Sequence, residues 1–125
     1  MAFLFACANG TAEGDRVHVR QVIDGDTIKL RNGDTVRFLG INTPELGHGE
    51  FADEPLANTA RRFVSQRIEG REVTLARERE YRDRYGRRLA EVYTSVGESL
   101  PLELLEQGLG FAIAVGDGNF EHLDA

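Results

Sequence analysis

Asn32-Gly33 separates two runs in which apolar and polar residues alternate, TIKLR at 27–31 and TVRFLGI at 35–41. Both residues of the pair accept positive φ, which suits the tight connection between antiparallel strands. A third alternating run, VHVRQVI at 17–23, precedes them and places Val17 and Val19 on one face. Three sequential strands with a shared apolar face form a meander, so the chain must either close a barrel or stack a second sheet. A two-residue turn at Asn32-Gly33 sets Asp26 opposite Leu39.

Further along, NTPELGHGEFADEP at 42–55 breaks the alternation and reads as a long surface loop. A helix is expected to begin near Pro55, with Asp53 and Glu54 favourable at its positive N-terminal end. Leu56, Ala60, Phe63, Val64 and Ile68 give it an apolar stripe, and Gly70 stops it. REVTLAR at 71–77 and RLAEVYT at 88–94 return to period two, and Ser99 is placed to cap a last helix, PLELLEQ, that ends at Gly108. Five short strands, with one helix after the third and one after the fifth, match a mainly β, five-stranded OB-fold barrel whose face binds oligonucleotides or sugars. A sandwich of similar strands is the competing arrangement.

A chain of 125 residues suits one domain. Residues 15–125 are read as that domain, and residues 1–14 as a leader remnant or an unstructured start. FLFACA at 3–8 is apolar like the end of an export leader, but it lacks a basic region and is too short to be a complete one. No apolar run approaches the roughly 20 residues that span a bilayer, so no stable membrane insertion is expected. The single cysteine, Cys7, excludes an internal disulfide framework and a cysteine-rich zinc site.

Net charge is −6, yet it is unevenly spread: seven acids and no Lys or Arg lie between Glu91 and Ala125. REREYRDRYGRR at 77–88 holds six arginines against three acids, and the whole chain has fourteen arginines to one lysine. The planar fork of arginine matches phosphate oxygens in pairs, and a local basic stripe binds phosphate even in an acidic protein. Charge alone leaves equal room for a solvated loop closed by ion pairs. The acidic C-terminal part would suit a protein partner better than nucleic acid.

Three clusters hold the residues that carry chemistry. In VIDGDT, Asp24 and Asp26 flank Gly25, a pattern that locally favours a plain turn. An EF-hand loop is excluded, because counting from Asp24 the position that requires glycine is Lys29. After the third strand come Asn42, Thr43, Pro44 and Glu45. A barrel rim that gathers Asp26, the Asn42 side-chain oxygen and a backbone carbonyl offers the hard oxygen donors calcium takes, with Glu45 one step outward. The third cluster, Asp83-Arg84-Tyr85-Gly86-Arg87, is at least a tight turn. An arginine directly after that bend can also point back across the barrel mouth. Phosphodiester cleavage needs a cation at a phosphoryl oxygen, cationic forks for developing charge, and a carboxylate that positions water.

Together VIDGDT, RFLGINTPE and DRYGRRLA closely resemble the staphylococcal nuclease (thermonuclease) family in content, order and spacing, from about Val17 to Gly108. That resemblance implies an OB-fold, calcium-dependent nuclease that cuts single-stranded or fraying DNA and RNA and leaves 3′-phosphate ends. It implies that Asp26 is the main calcium carboxylate, that Asp24 is an outer acid holding metal-bound water, and that Asn42 and the Thr43 carbonyl complete the site. By the same resemblance Glu45 orients or deprotonates the attacking water, and Arg37 and Arg87 bind the phosphate. Tyr85 packs near phosphate and sugar, Arg84 flanks it, and Asp83 braces the loop. The family's frequent export, with the apolar start, makes a secreted or cell-envelope location the expectation.

The chain departs from the family pattern in three places. Asn42 stands where the family has a second calcium carboxylate, which implies weaker calcium binding. Ala114 and Gly116 stand where the family commonly has two base-stacking tyrosines, for which Phe111 or Phe120 is a replacement if not a core residue. The family's final helix has no counterpart before EHLDA at the end of the sequence. His48 and Glu50, near Glu45, are read as solvated loop residues. The rival to a nuclease is a non-catalytic oligonucleotide-binding or protein-interaction module on the same fold.

Overall fold

The computed structural model describes residues 13–47, 50 and 52–113. The apolar start at 3–8 and residues His48, Ala114, Gly116 and Phe120 lie outside them. The strands are β1 (Asp15–Asp24), β2 (Thr27–Leu30), β3 (Thr35–Phe38), β4 (Ile41–Asn42), β5 (Glu72–Ala76), β6 (Arg88–Thr94) and β7 (Phe111–Ala112), with helices α1 (Ala57–Ile68) and α2 (Leu100–Glu106). Five strands close a barrel in the order β1-β2-β3-β6-β5, while β4 and β7 form a separate two-stranded piece. The expected five-stranded barrel is therefore present, and a sandwich is not. All barrel pairings are antiparallel except β3 with β6, which run parallel. No helix among the described residues is long and apolar enough to cross a membrane.

The meander forms as the alternation requires, with a register one step from the expected one. Ile28 faces Val36 and Thr27 faces Arg37, so Asp26 lies opposite Phe38, whose N–H donates to the Asp26 carbonyl at 2.8 Å, and not opposite Leu39. The cause is a three-residue loop. Gly33 N–H donates to Leu30 O at 3.0 Å and Leu30 N–H to Asp34 O at 2.8 Å. Of the Asn-Gly pair only Gly33 takes positive φ, at 98°. Asn32 instead accepts from the Asp34 N–H at 2.9 Å, an Asx-type turn. The apolar pattern enforces this register. A one-residue slip would face Ile28 with Arg37 and turn Val36 and Phe38 outward, whereas Ile28, Val36 and Phe38 are all fully buried. Burying each such side chain contributes about 1.5–3 kcal/mol.

Helix α1 starts later than Pro55, after Leu56, which has φ 68° and no side-chain cap. Asp53 and Glu54 precede the helix and hold the preceding loop instead, accepting from the Gly47 and Glu45 N–H groups at 2.7 Å each. Leu56 is exposed, and the buried stripe is Ala57, Ala60, Val64 and Ile68, packed across the barrel end beside β1. Ser99 caps α2 by accepting from the Leu102 N–H at 3.2 Å, and Leu100 and Leu104 plug the core. Gly40, at φ 85°, ends the β3 run and lets Ile41–Asn42 pair separately with β7.

Candidate active site

The turn between β1 and β2 brings Asp24 and Asp26 to one end of the barrel, where the segment after β3 crosses it. Gly25 permits the crossing. A Cβ there would lie 2.8 Å from Thr43 Oγ1 and 2.9 Å from the Ala60 methyl. The glycine of D-G-D thus serves close packing of the turn against residue 43 and α1, a contact local pattern does not reveal.

Asp26 is buried, with 6% of its surface exposed. Its Oδ1 accepts from Thr27 Oγ1 at 2.9 Å and its Oδ2 from the Thr43 N–H at 3.1 Å. Arg37 Nη2 stands 3.6 Å from Oδ2. Arg37 itself is 3% exposed. Its Nη1 donates to the Phe38 and Ile41 carbonyls at 2.6 and 2.8 Å, and its Nη2 donates to Asn42 Oδ1. Because a guanidinium cannot lose its charge in a protein, a buried one is tolerable only when its donors are satisfied in this way. Thr27 and the two carbonyls were not singled out by the sequence. The hydroxyl of Thr27, next to a required acid, is the one signal that could have marked it.

Asp24 accepts from the Leu46 N–H at 3.2 Å, tying the loop beyond Glu45 to the acid turn. Glu45 is exposed, and its N–H and carbonyl are both held by Glu54, at 2.7 and 2.9 Å. Asn42 faces Phe111 across the β4–β7 pair. Phe111 is 61% exposed, not core, and so places an aromatic face beside the acid corner.

The arginine loop is organised by Asp83, which is buried. Its Oδ1 accepts from the Tyr85 and Arg87 N–H groups at 2.9 Å each, and its Oδ2 accepts from Arg87 Nε at 2.7 Å. Asp83 therefore does brace the loop. Tyr85 is 65% exposed and lies between two guanidinium groups, 5.0 Å from Arg84 and 5.1 Å from Arg87. The parallel β3–β6 ladder pairs Arg37 with Leu89. Side chains alternate along a strand, so Leu89 shares the outer face with Arg37, and Arg87 immediately precedes β6. This ladder is what brings the second and third clusters to one side of the barrel.

The donor chemistry of the acid corner fits a hard divalent cation. Each oxygen of Asp26 keeps lone-pair capacity, Asn42 adds an amide oxygen, and Thr43 Oγ1 is buried with no hydrogen-bond partner. Among the described residues no three His, Cys, Asp or Glu side chains gather, so such a site draws on amide, hydroxyl and backbone oxygens beside Asp26. Thr43 reaches Asp26 through its N–H.

A second charge cluster is structural. Arg88 binds Glu78 at 2.7 Å, Asp15 at 3.1 Å and Asp34 at 3.2 Å. Burial pushes the Asp34 carboxyl up, but the charges of Arg82 and Arg88 outweigh it and hold the group below its ordinary value. Four of the six arginines in the run, Arg77, Arg82, Arg87 and Arg88, are thus held in ion pairs, as the ion-pair alternative foresaw.

Known proteins bear on this arrangement. The family model described as staphylococcal nuclease homologue matches residues 35–125. The thermonuclease of Staphylococcus intermedius is 32% identical over 111 residues, covering 86% of this chain and 66% of that protein. Endonuclease YncB of Bacillus subtilis (strain 168) is 35% identical over 112 residues, covering 86% of this chain and 53% of its own length. The SPbeta prophage-derived endonuclease YokF of the same organism is 34% identical over 112 residues, covering 86% and 38%. The chain spans less than two-thirds of the length of each of these relatives. With the three motifs gathered on one closed barrel and these matches in hand, the chain belongs to the family of staphylococcal nuclease homologues.

Proposed function

We propose that the chain is a calcium-dependent nuclease that hydrolyses phosphodiester bonds of single-stranded DNA or RNA and leaves 3′-phosphate ends. The observation that carries this reading is the buried Asp26 carboxylate, fixed by Thr27 and Thr43 and set against Arg37 at the barrel end. A binding module has no need of a desolvated acid there, since an acid repels phosphate. Asp26, the Asn42 oxygen and the Thr43 oxygens would hold the cation, with Asp24 acting through water. When bound, calcium supplies charge stabilisation at a phosphoryl oxygen.

The protein groups divide the remaining work. Glu45, on a loop pinned by Glu54, orients water for in-line attack. Three hydrogen bonds occupy three of the five N–H donors of Arg37, and the others serve the floor of the site. Arg87, held rigid by Asp83, meets the negative charge that develops on the phosphoryl oxygens. Tyr85 packs on the sugar-phosphate with Arg84 beside it, and Phe111 offers a stacking face, an interaction worth about 1–3 kcal/mol per base.

Digestion of single-stranded DNA with calcium, with chelator, and with an Arg87→Ala variant tests the reading. Cleavage is expected only with calcium, and Arg87→Ala should lose at least ~10²-fold in turnover, the scale of one preorganised donor. A folded chain that binds the strand equally in chelator and never cuts it would overturn the proposal in favour of the binding module. Asn42 in place of a carboxylate is the observation on that side.

A further inference from the structure

The outer face of β1 and β2 is a second cationic surface that the cleavage site does not use. Arg16, His18 and Arg20 point away from the barrel interior, opposite to Val17 and Val19, and all three are exposed. Arg20 is the extra residue where the β1–β2 register shifts between Val19 and Gln21, which throws it outward. On β2, Lys29 alternates with the buried Ile28 and Leu30, and Arg31 follows it beside His18, donating its N–H to the His18 carbonyl at 2.9 Å.

None of Arg16, Arg20, Lys29 and Arg31 makes an ion pair or side-chain hydrogen bond among the described residues. The contrast with the arginine loop is sharp, because the nearby acids Asp15 and Asp34 are both taken by Arg88. Glu72, paired with His18 on β5, marks the far edge of the stripe. A depression of about 400 Å³ lined by Val17 and Leu30 together with Arg16, His18, Arg31 and Asn32 lies at the turn end of the stripe. Among the described residues these four cations have no anionic partner, and such a local concentration of positive charge attracts a polyanion even on a chain of net charge −6.

We propose that this face binds the phosphodiester backbone of a nucleic-acid strand beyond the point of cleavage. The identity of the strand rests on the nuclease reading, but the charge argument does not. The stripe begins three residues past Asp26 and ends at the β2–β3 turn. At ~3.3 Å per residue it extends roughly 17 Å from the acid corner, so a strand leaving the site along β2 meets Lys29 first and Arg31 last. Backbone contacts of this kind are blind to sequence and strongly salt-dependent.

Fluorescence anisotropy in chelator, with a labelled oligo-dT of about 16 nucleotides and with a trinucleotide, tests the proposal without needing turnover. A variant carrying Arg16→Gln, Arg20→Gln, Lys29→Gln and Arg31→Gln should weaken long-strand binding tenfold or more. Its salt slope should flatten by about 2–3, at ~0.7 per lost phosphate contact, while the trinucleotide stays unaffected. Arg61→Gln with Arg62→Gln on α1 is the control for net charge and should change little. If the fourfold variant does not fold, its two halves, Arg16 with Arg31 and Arg20 with Lys29, are measured separately, and each should lose part of the effect. Unchanged long-strand binding, a control that loses as much per charge, or no binding by the unaltered chain at low salt would each overturn the proposal. A chain that binds through the stripe but never cleaves would sink the nuclease reading alone.

Discussion

Arg37 lies on the β3–β6 ladder and Arg87 directly precedes β6, yet the two are held in opposite ways. Arg37 is sealed under the segment after β3 and satisfies two backbone carbonyls, the Asn42 amide and a buried carboxylate. Arg87 sits at the mouth of a loop whose geometry is set by one acid, Asp83, and its side chain keeps 21% of its surface in solvent. The first arginine is part of the fold and only secondarily available to a ligand. The second lies outside the barrel strands, and its partner Asp83 also accepts from two backbone N–H groups. Two groups with one expected role in phosphate binding therefore have separable energetic signatures.

The largest expected effect breaks the pair apart. Arg37→Ala leaves Asp26 buried without its counter-charge and should lower stability by about 3–5 kcal/mol, whereas Arg87→Ala leaves Asp83 its two backbone N–H donors and should cost less, about 1–3 kcal/mol, and show its main loss in turnover. Equal unfolding midpoints for the two variants in urea would refute the distinction. Gly25→Ala comes next. It pushes a methyl into Thr43 and Ala60 and should cost about 1–3 kcal/mol, and a thermal scan that matched the unaltered protein would mean that the turn relaxes freely. Such a change disturbs the Arg37 corner and spares the Asp83 loop, so it also sharpens the contrast.

Asn42→Asp acts on the cation site. A second carboxylate should tighten calcium binding by about tenfold, or ~1.4 kcal/mol, and would also give Arg37 a charged partner. Unchanged affinity by calorimetry would reject the amide as the reason for weaker binding. The smallest effect lies at the far end of β3. The Asp34 carboxyl, with its folded value depressed, contributes stability that is complete above the unfolded value of 3.8 and fades as pH falls below it. Asp34→Asn should flatten that acid limb and cost no more than ~1 kcal/mol at neutral pH. A stability profile that kept its full acid slope would assign the slope to other carboxylates.

Much of this was legible before any coordinates. Strand β6 begins and ends where the alternation of RLAEVYT does, Ser99 caps its helix, and the first two motifs hold residues that the fold brings together, Asp26 with Arg37 and Thr43. What escaped was set by partners distant in the chain. No local pattern announces that β3 takes a parallel neighbour, and β7 is only two residues long. The hairpin register turned on whether Asn32 would take positive φ, which the dipeptide permits but the buried Ile28–Val36 pair forbids. A polar residue on the outer side of a strand is expected in water, so the burial of Arg37 could not be read without the loop that covers it. Asp53 and Glu54 looked like helix-dipole partners because competing N–H groups at 45 and 47 were not yet nearby.

Arg88 has a consequence for the order in which the chain assembles. Its partners Asp15 and Asp34 lie 73 and 54 residues away in sequence, so the three-acid clasp forms only after the barrel has closed around it. Contacts that form after the rate-limiting step leave the folding rate alone and set how fast the native state opens. Arg88→Met should accordingly speed unfolding several-fold while folding proceeds at nearly its former rate, and a chevron whose folding arm moved instead would place the clasp in the nucleus. On this account the fourteen arginines are not one basic character spread over the sequence. Some stand exposed without an ion pair among the described residues, some hold the fold, and Arg88 works as a latch that governs how long the native molecule lasts.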